Sequence, residues 1–199
     1  MKSSNDKQSV ACRLLPALAL LAACQLPQEP PGKGDKIRGS RELLEKLQPA
    51  DIAVAPIRNQ TGDPSLPSAD LRRGFAQALV GRLYSPLDLS YVDANWVEAS
   101  FGGTPAPDAL LVVAVTKWDP SHLYSTGEVY STAEMFLFEG GSTTGTPLWG
   151  ITYQAKASLG DGHGNPPLPS PDLVPRAARI LAAEFLSTLP ERDAVAAHP

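Results

Sequence analysis

The sequence predicts an α/β fold built on a mixed β-sheet, and three observations lead to this prediction. In the first half of the chain, apolar runs typical of buried strands alternate with stretches of helical periodicity, in the order strand, helix, strand, helix, strand. That order predicts a partly parallel sheet. In the second half, two segments alternate apolar and polar residues around a glycine-rich turn, which predicts an antiparallel hairpin.

The first predicted elements are a short helix at 41–48 and a buried strand at 51–57. Pro56 lies near the end of this strand, so we expect the strand either to lie at a sheet edge or to stop there. An amphipathic helix follows over 69–84, and Ser68 is its expected N-cap because a serine hydroxyl can accept a hydrogen bond from the first helical turn.

The next elements are a strand at 87–92, which alternates, and a short helix at 94–101 with Asp93 as its cap. The most apolar run of the chain lies at 109–118 and is rich in β-branched residues. It has no polar alternation, so we predict a central strand that is covered on both faces.

The second half predicts a hairpin of two alternating strands, 126–138 and 148–157, joined by a turn at 140–145. Because side chains alternate along a strand, one face of this hairpin should be apolar on both strands. The residues expected on that face are Val129, Ala133, Met135, Leu137, Trp149, Ile151, Tyr153 and Ala155.

A Gly/Pro-rich loop at 160–169 leads to the last predicted helix, which ends at Leu189. Its start is predicted at Ser170 or at Val174, because Pro175 would remove a hydrogen bond from a helix interior.

A secretory leader precedes this domain. Basic residues at Lys2, Lys7 and Arg13 are followed by an apolar run at 14–23 that ends in small residues at Cys24. Ten helical residues reach only about half of the ~30 Å hydrocarbon core, so the run is too short to cross a membrane by itself. We interpret it as a signal peptide.

Leu21-Ala22-Ala23-Cys24 is similar to the lipobox of bacterial lipoproteins. The resemblance implies cleavage between Ala23 and Cys24 and attachment of acyl chains to Cys24, which would anchor the protein stably to a membrane. Gln25 follows where an aspartate would imply retention at the inner membrane, so the resemblance implies an outer-membrane lipoprotein that faces the periplasm. The alternative is an ordinary leader with a chance cysteine at its end.

These features predict four segments. They are a signal peptide (1–23), a lipidated tether with a short helix (24–48), a single α/β domain (49–190) and a disordered tail (191–199).

Cysteine content and charge exclude several functions. The chain has two cysteines, of which Cys12 leaves with the leader and Cys24 would be lipidated, so no thiol remains for a disulfide, a metal site or catalysis. Removal of the leader, with three basic residues and one acidic residue, changes the formal net charge from −4 to about −6. This charge gives no attraction for nucleic acid or anionic lipid.

No motif predicts an enzyme or a cofactor site. The chain has neither a phosphate-binding loop nor a G-x-G-x-x-G pattern, and its histidines, His122, His163 and His198, are too scattered for a zinc site. Asp119, Ser121 and His122 are the residue types of a hydrolase triad, but neighbours in sequence do not give its geometry, and a loop is the favoured interpretation. The sequence therefore predicts a protein without catalytic residues, cofactor or metal.

The segment 161–165 (DGHGN) could bind a cation weakly, although a solvated turn is the favoured interpretation. Trp96, Trp118 and Trp149 are expected to be core or half-buried anchors rather than a ligand cage.

The segment 52–62 (IAVAPIRNQTG) resembles the first strand and turn of a periplasmic domain shared by the amino-terminal part of TolB and the lipoproteins LpoB and CsgG. The runs from Asp108 to Trp118, from Ser131 to Phe138 and from Gly145 to Trp149 resemble a group of bacterial lipoproteins of unknown function that includes a surface-lipoprotein vaccine candidate. The resemblance implies a three-layer α/β/α sandwich and a non-enzymatic role in the cell envelope.

The leading hypothesis is a lipid-anchored module that binds an envelope protein whose identity the sequence does not give. The alternative is a subunit that self-assembles into a ring or pore of a secretion system, as the curli lipoprotein CsgG does. The third hypothesis, a hydrolase, would have to depend on His122 or His163.

Overall fold

The computed structural model describes residues 38–97, 99–160 and 167–193. The helices are α1 (Arg41–Leu47), α2 (Ser68–Val80), α3 (Leu89–Asn95) and α4 (Leu173–Phe185), with a 3₁₀ helix at Leu186–Thr188. The strands are β1 (Asp51–Val54), β2 (Arg58–Asn59), β3 (Ser85–Pro86), β4 (Trp96–Val97), β5 (Ser100–Phe101), β6 (Ala109–Asp119), β7 (Glu128–Glu139) and β8 (Trp149–Ser158).

The main sheet is mixed, with the strand order β3-β1-β6-β7-β8, and β2 also pairs with β6. Strand β1 is parallel to both β3 and β6, whereas β6, β7 and β8 form an antiparallel meander. With helices packed on this sheet, the chain is an α/β sandwich whose first half is parallel and whose second half is an antiparallel hairpin, as predicted.

Strand β6 lies at the centre of the sheet and is buried on both faces along most of its length. Leu111, Val113 and Val115 belong to a large apolar cluster on one face, which we call the inner face. Leu110 and Val112 belong to a smaller cluster on the opposite, outer face. The predicted central strand is confirmed.

Helices α2 and α4 pack against each other and cover the inner face. Gly74 lies where the two helices meet, and a Cβ atom there would lie 2.9 Å from the Cβ of Ala182. This close approach brings Phe75 and Phe185 together, with their rings stacked at 6.0 Å between centroids.

The hairpin residues predicted to share one apolar face lie on the inner face in the structure. All eight are buried, from Val129 on β7 to Ala155 on β8. Tyr153 also donates a hydrogen bond from its hydroxyl to Glu184 Oε1 of α4 at 3.1 Å.

The segment 87–92 is not the strand that its alternation suggested. Helix α3 begins at Leu89 because the Asp88 carboxylate accepts hydrogen bonds from the backbone N–H groups of Ser90 and Tyr91, which caps the helix. Its Val92 packs on the outer face of the sheet. The strong capping residue therefore outweighed a short alternating pattern.

The predicted helix at 94–101 with an Asp93 cap is also wrong. Trp96–Val97 and Ser100–Phe101 pair as a small antiparallel hairpin instead. Asp93 lies inside α3 and forms an ion pair with Arg72. The tertiary contacts of Trp96 and Phe101 with the outer cluster favour this hairpin.

Helix termini account for the remaining differences. Ser68 is the first residue of α2 and Pro67 precedes it as the cap without a side-chain hydrogen bond, so the predicted Ser68 N-cap is wrong. Pro175 is the third residue of α4, where the backbone needs no N–H donor for the helix, and the helix begins at Leu173. Strand β1 ends at Val54, two residues before Pro56, and it lies between two strands rather than at the sheet edge.

Among the described residues, no helix is both long and apolar enough to cross a membrane.

Candidate functional site

The hairpin β7–β8 presents an outer face that differs from the rest of the sheet, and we call it the outer hairpin face. Its side chains are half-buried, whereas the side chains that alternate with them on the inner face are buried. It consists of Tyr130, Thr132, Glu134, Phe136 and Phe138 on β7 and of Thr152, Gln154 and Lys156 on β8.

Helix α3 and the β4–β5 hairpin supply the outer cover only over β1 and the start of β6. Val92, Trp96 and Phe101 pack there with Ala53 and Leu110. The extensive helix contacts of β7 and β8 among the described residues are with α4, on the inner face. The outer hairpin face is therefore shielded mainly by its own neighbouring side chains.

One end of this face is aromatic. The rings of Phe136 and Phe138 lie 6.1 Å apart at 39° to each other. Phe138 also contacts the outer cluster, whereas Phe136 lies over Gly150, where a Cβ atom would be 2.5 Å from Phe136 Cδ1. Gly150 thus leaves the space in which the Phe136 ring lies. Half-buried aromatic side chains of this kind are enriched in protein–protein interfaces.

The other end is polar and charged. Lys156 Nζ lies 2.5 Å from Glu128 Oε1 and 5.6 Å from the centroid of the Tyr130 ring. The Tyr130 hydroxyl donates to Glu128 Oε2 at 2.9 Å. The hydrogen bonds from Lys156 and then Tyr130 lower the pKa of Glu128, and the bond to Glu128 raises the pKa of Lys156 and of Tyr130. These contacts fix the three side chains in place.

Strand β8 is the last strand of the sheet, so one of its edges is open to a further strand. Among the described residues, only Arg38 pairs with this edge, as an isolated antiparallel bridge in which its N–H donates to the Gly150 carbonyl at 2.7 Å. An open edge with unpaired backbone groups can pair with another extended chain.

The structure does not describe the predicted lipidation site, Cys24, or the cleavage position after Ala23. Also outside the described residues are the rest of the tether up to residue 37, the 161–165 segment with His163, and His198. Lipidation of Cys24 and cleavage before it remain predictions from the sequence.

Asp119, Ser121 and His122 form a turn after β6. The Asp119 carboxylate accepts hydrogen bonds from the backbone N–H and the hydroxyl of Ser121, and these bonds lower its pKa. The His122 carbonyl accepts from the N–H groups of Thr126 and Gly127. Each of these groups has a role in closing the turn, which is the interpretation that the sequence favoured.

The three tryptophans lie apart from one another in two apolar clusters. Trp149 is buried in the large inner cluster, Trp118 packs partly buried against it, and Trp96 packs against the outer cluster. Within 38–97, 99–160 and 167–193, no three His, Cys, Asp or Glu side chains are grouped so that they could hold a metal ion.

Sequence reasoning did not single out the outer hairpin face. Its alternation placed each side chain on the correct face, but no sequence pattern indicates that α3 covers β1 and β6 and stops short of β7. The run of aromatic residues at Phe136 and Phe138, on the side opposite the apolar positions, was the available signal.

Comparison with known proteins gives structural neighbours only. No protein-family model matches this chain, and no curated protein matches it significantly. Among solved structures, the PelC dodecamer of Paraburkholderia phytofirmans is 18% identical, with 70% of this chain and 88% of that chain covered and a TM-score of 0.43.

The lipoprotein GNA1162 of Neisseria meningitidis is 17% identical, with 57% of this chain and 89% of that chain covered and a TM-score of 0.42. The hypothetical protein CT253 of Chlamydia trachomatis is 8% identical, with 70% and 94% covered and a TM-score of 0.40. Likeness at this level does not decide a function or an assembly for this chain, and the resemblance to TolB, LpoB and CsgG remains a prediction.

Proposed function

We propose that this chain is a lipid-anchored, non-catalytic lipoprotein of the bacterial cell envelope that binds another envelope protein through its outer hairpin face. The observation that carries the proposal is the uneven cover of the sheet. The inner face of β7 and β8 is buried from one end of the hairpin to the other, whereas the aromatic end of the outer hairpin face, with Phe136 and Phe138, is left half-buried.

The composition of the outer hairpin face supports a protein as its partner. It combines two phenylalanines, a tyrosine and short polar side chains such as Thr132 and Thr152, and it carries Glu134 and Lys156 of opposite charge. Protein interfaces have this mixture of aromatic anchors and hydrogen-bonding groups. The predicted lipid on Cys24 would hold this surface at the outer membrane, facing the periplasm.

A second candidate is self-assembly, and the open edge of β8 favours it. Two copies could join their sheets along this edge through backbone hydrogen bonds. The bridge from Arg38 to Gly150 uses only the start of the edge, so residues 151–158 are open to pairing as far as the described residues show.

Site-specific photo-crosslinking in cells distinguishes the two candidates. A photoreactive amino acid replaces Thr152 on the outer hairpin face and, as the matched control, Ile180, which is 37% exposed on α4. We expect one defined envelope protein to cross-link from position 152 and not from position 180. Products that contain only this chain would replace the leading proposal with self-assembly.

Recovery of the partner with this protein after extraction in mild detergent measures how much Phe136 contributes to binding. We expect Phe136→Gln to reduce recovery of the cross-linked partner at least tenfold, because an aromatic anchor typically contributes more than about 1.4 kcal/mol to binding. Val80→Gln, at a 58% exposed valine on α2, should leave recovery unchanged. Equal recovery with both variants would contradict the assignment of the surface.

Cys24→Ala should release the protein from the membrane fraction, and its retention there would contradict the lipid anchor.

A further inference from the structure

A cleft away from the outer hairpin face lies beside the start of β8, between α1 and the 3₁₀ helix. It encloses about 300 Å³, which is the lower end of the range for small-molecule sites. Its lining includes Arg38, Arg41, Leu44, Leu148, Trp149 and Thr188.

Two buried polar atoms on the lining residues have no hydrogen-bond partner among residues 38–97, 99–160 and 167–193. They are Nε1 of Trp149, a residue only 2% exposed, and Oγ1 of Thr188. Leaving such an atom unpaired costs about 1–3 kcal/mol, so native proteins rarely do so without a reason. Trp118 Nε1 is also buried and unpaired, but Trp118 does not line this cleft.

The charge of the cleft is positive. Arg38 forms no ion pair with any described residue, and Arg41 shares its charge with Glu45 in an exposed pair at 2.7 Å. Arginine and the tryptophan indole are donors without an acceptor atom, and the threonine hydroxyl can donate as well. An arginine without an ion pair among the described residues, at the mouth of an apolar cleft, favours a ligand that accepts hydrogen bonds and carries negative charge.

The walls of the cleft are apolar, and the backbone that carries Arg38 is fixed in place. Leu44 and Leu148 are 4% and 1% exposed and form part of the inner core. Gly39 has φ +106°, and a Cβ atom there would lie 2.7–2.8 Å from the carbonyl oxygens of Pro147 and Leu148. Because only glycine allows this approach, the backbone that carries Arg38 is held against the start of β8.

We propose that this cleft binds a small carboxylate that carries an aliphatic group, with the exposed Arg38 guanidinium paired to the carboxylate, Trp149 and Thr188 lining the cleft beside it, and Leu44 and Leu148 against the aliphatic part. Two sources share this chemistry, namely a free short-chain acid and the carboxyl-terminal residue of a peptide. The site is independent of the outer hairpin face.

Titration followed by NMR of the indole N–H groups tests the proposal in the full-length protein. The probes are hexanoate and N-acetylleucine, with hexanamide and N-acetylleucinamide as uncharged counterparts. We expect a saturable shift of the Trp149 indole signal with at least one acid and at least tenfold weaker binding of its amide, while the Trp118 indole signal stays in place. Tighter binding of N-acetylleucine would identify a peptide terminus as the source, and tighter binding of hexanoate would identify a free acid.

Arg38→Gln should weaken binding of the acid about tenfold, and Lys46→Gln, a matched loss of an exposed cation on α1 outside the cleft, should not. The Arg38 side chain is exposed, so its replacement leaves the core intact, which an unchanged unfolding temperature verifies. No saturable shift with either acid, equal binding of acids and amides, or equal shifts of the Trp118 and Trp149 signals would overturn the proposal.

Discussion

The two faces of the β7–β8 hairpin are built from alternating residues of the same strands, yet they differ in what covers them. Val129, Ala133, Met135 and Leu137 of β7 are fully buried under α4 and its neighbours. Phe136 and Phe138, which lie between and beyond them on the opposite face, are only half-buried. Residues of similar hydrophobicity therefore differ in burial, since one set lies in the core and the other is left half-buried by the described residues.

The contrast also extends to the polar groups. On the inner face, Tyr153 reaches Glu184 of the covering helix, so its hydroxyl is satisfied within the domain. On the outer face, Tyr130 reaches Glu128 on its own strand. None of the described helices covers this face, so its polar side chains pair with one another, as in the Glu128, Tyr130 and Lys156 cluster.

The largest expected effect on stability comes from truncating one aromatic side chain at the inner face of the sheet and one on the outer hairpin face. Phe185→Ala removes a fully buried ring that stacks on Phe75, and it should lower the free energy of unfolding by about 3–5 kcal/mol. Phe136→Ala on the outer hairpin face should lower it by about 1 kcal/mol, because the ring is already partly in water. Urea unfolding measures both values, and equal losses would break the distinction between the two faces.

An intermediate effect on stability is expected from adding a methyl group to one glycine at the inner face and to one on the outer face. Gly74→Ala places a Cβ atom 2.9 Å from Ala182 Cβ and 3.1 Å from the Ala178 carbonyl oxygen, neither of which can move independently of α4. We expect a loss of about 1–3 kcal/mol from overpacking, despite the gain of up to about 1 kcal/mol in helix propensity.

Gly150→Ala is the matched change on the outer face, where the new Cβ meets the Phe136 ring at 2.5 Å and the Met135 carbonyl oxygen at 3.2 Å. The half-buried ring can swing outward, so the loss of stability should be about 1 kcal/mol or less, and it should be accompanied by a change in Phe136 mobility visible by NMR. A Gly150→Ala variant that is less stable than Gly74→Ala would show that the outer face is as rigidly packed as the inner one.

The smallest effect concerns pH. The pKa of Glu128 is lowered in the folded protein, chiefly by its hydrogen bond from Lys156 and then by that from Tyr130. Its contribution is therefore fully present above the ordinary pKa of 4.5 and is lost as the pH falls through the lowered value. Both side chains of the pair are 30% exposed, so we expect less than about 1 kcal/mol.

Comparison of the unfolding free energies of the wild type and Glu128→Gln between pH 7 and pH 3 measures this contribution. The difference between the two proteins should shrink as the pH falls. A difference that does not depend on pH would show that Glu128 acts through packing rather than charge.

Much of the architecture followed from local patterns. The apolar β-branched run at 109–118 required a strand buried on both faces, and the period-two alternation of β7 and β8 fixed which side chains would lie together. The segment 87–101 was misassigned because its patterns were short. There, the Asp88 cap and contacts of Trp96 and Phe101 with the outer cluster decided the structure.

By itself, the sequence determined the elements whose residues are periodic over ten or more positions, since burial of a regular stripe or face selects one secondary structure. It also supplied the lipobox-like Leu21-Ala22-Ala23-Cys24, which needs no folded context to be recognised. Only the tertiary structure decided that α3 covers β1 and β6 but not the hairpin, and that Arg38, Trp149 and Thr188 surround one cleft. These residues are separated by up to about 150 positions, and no local pattern records which distant segments pack together.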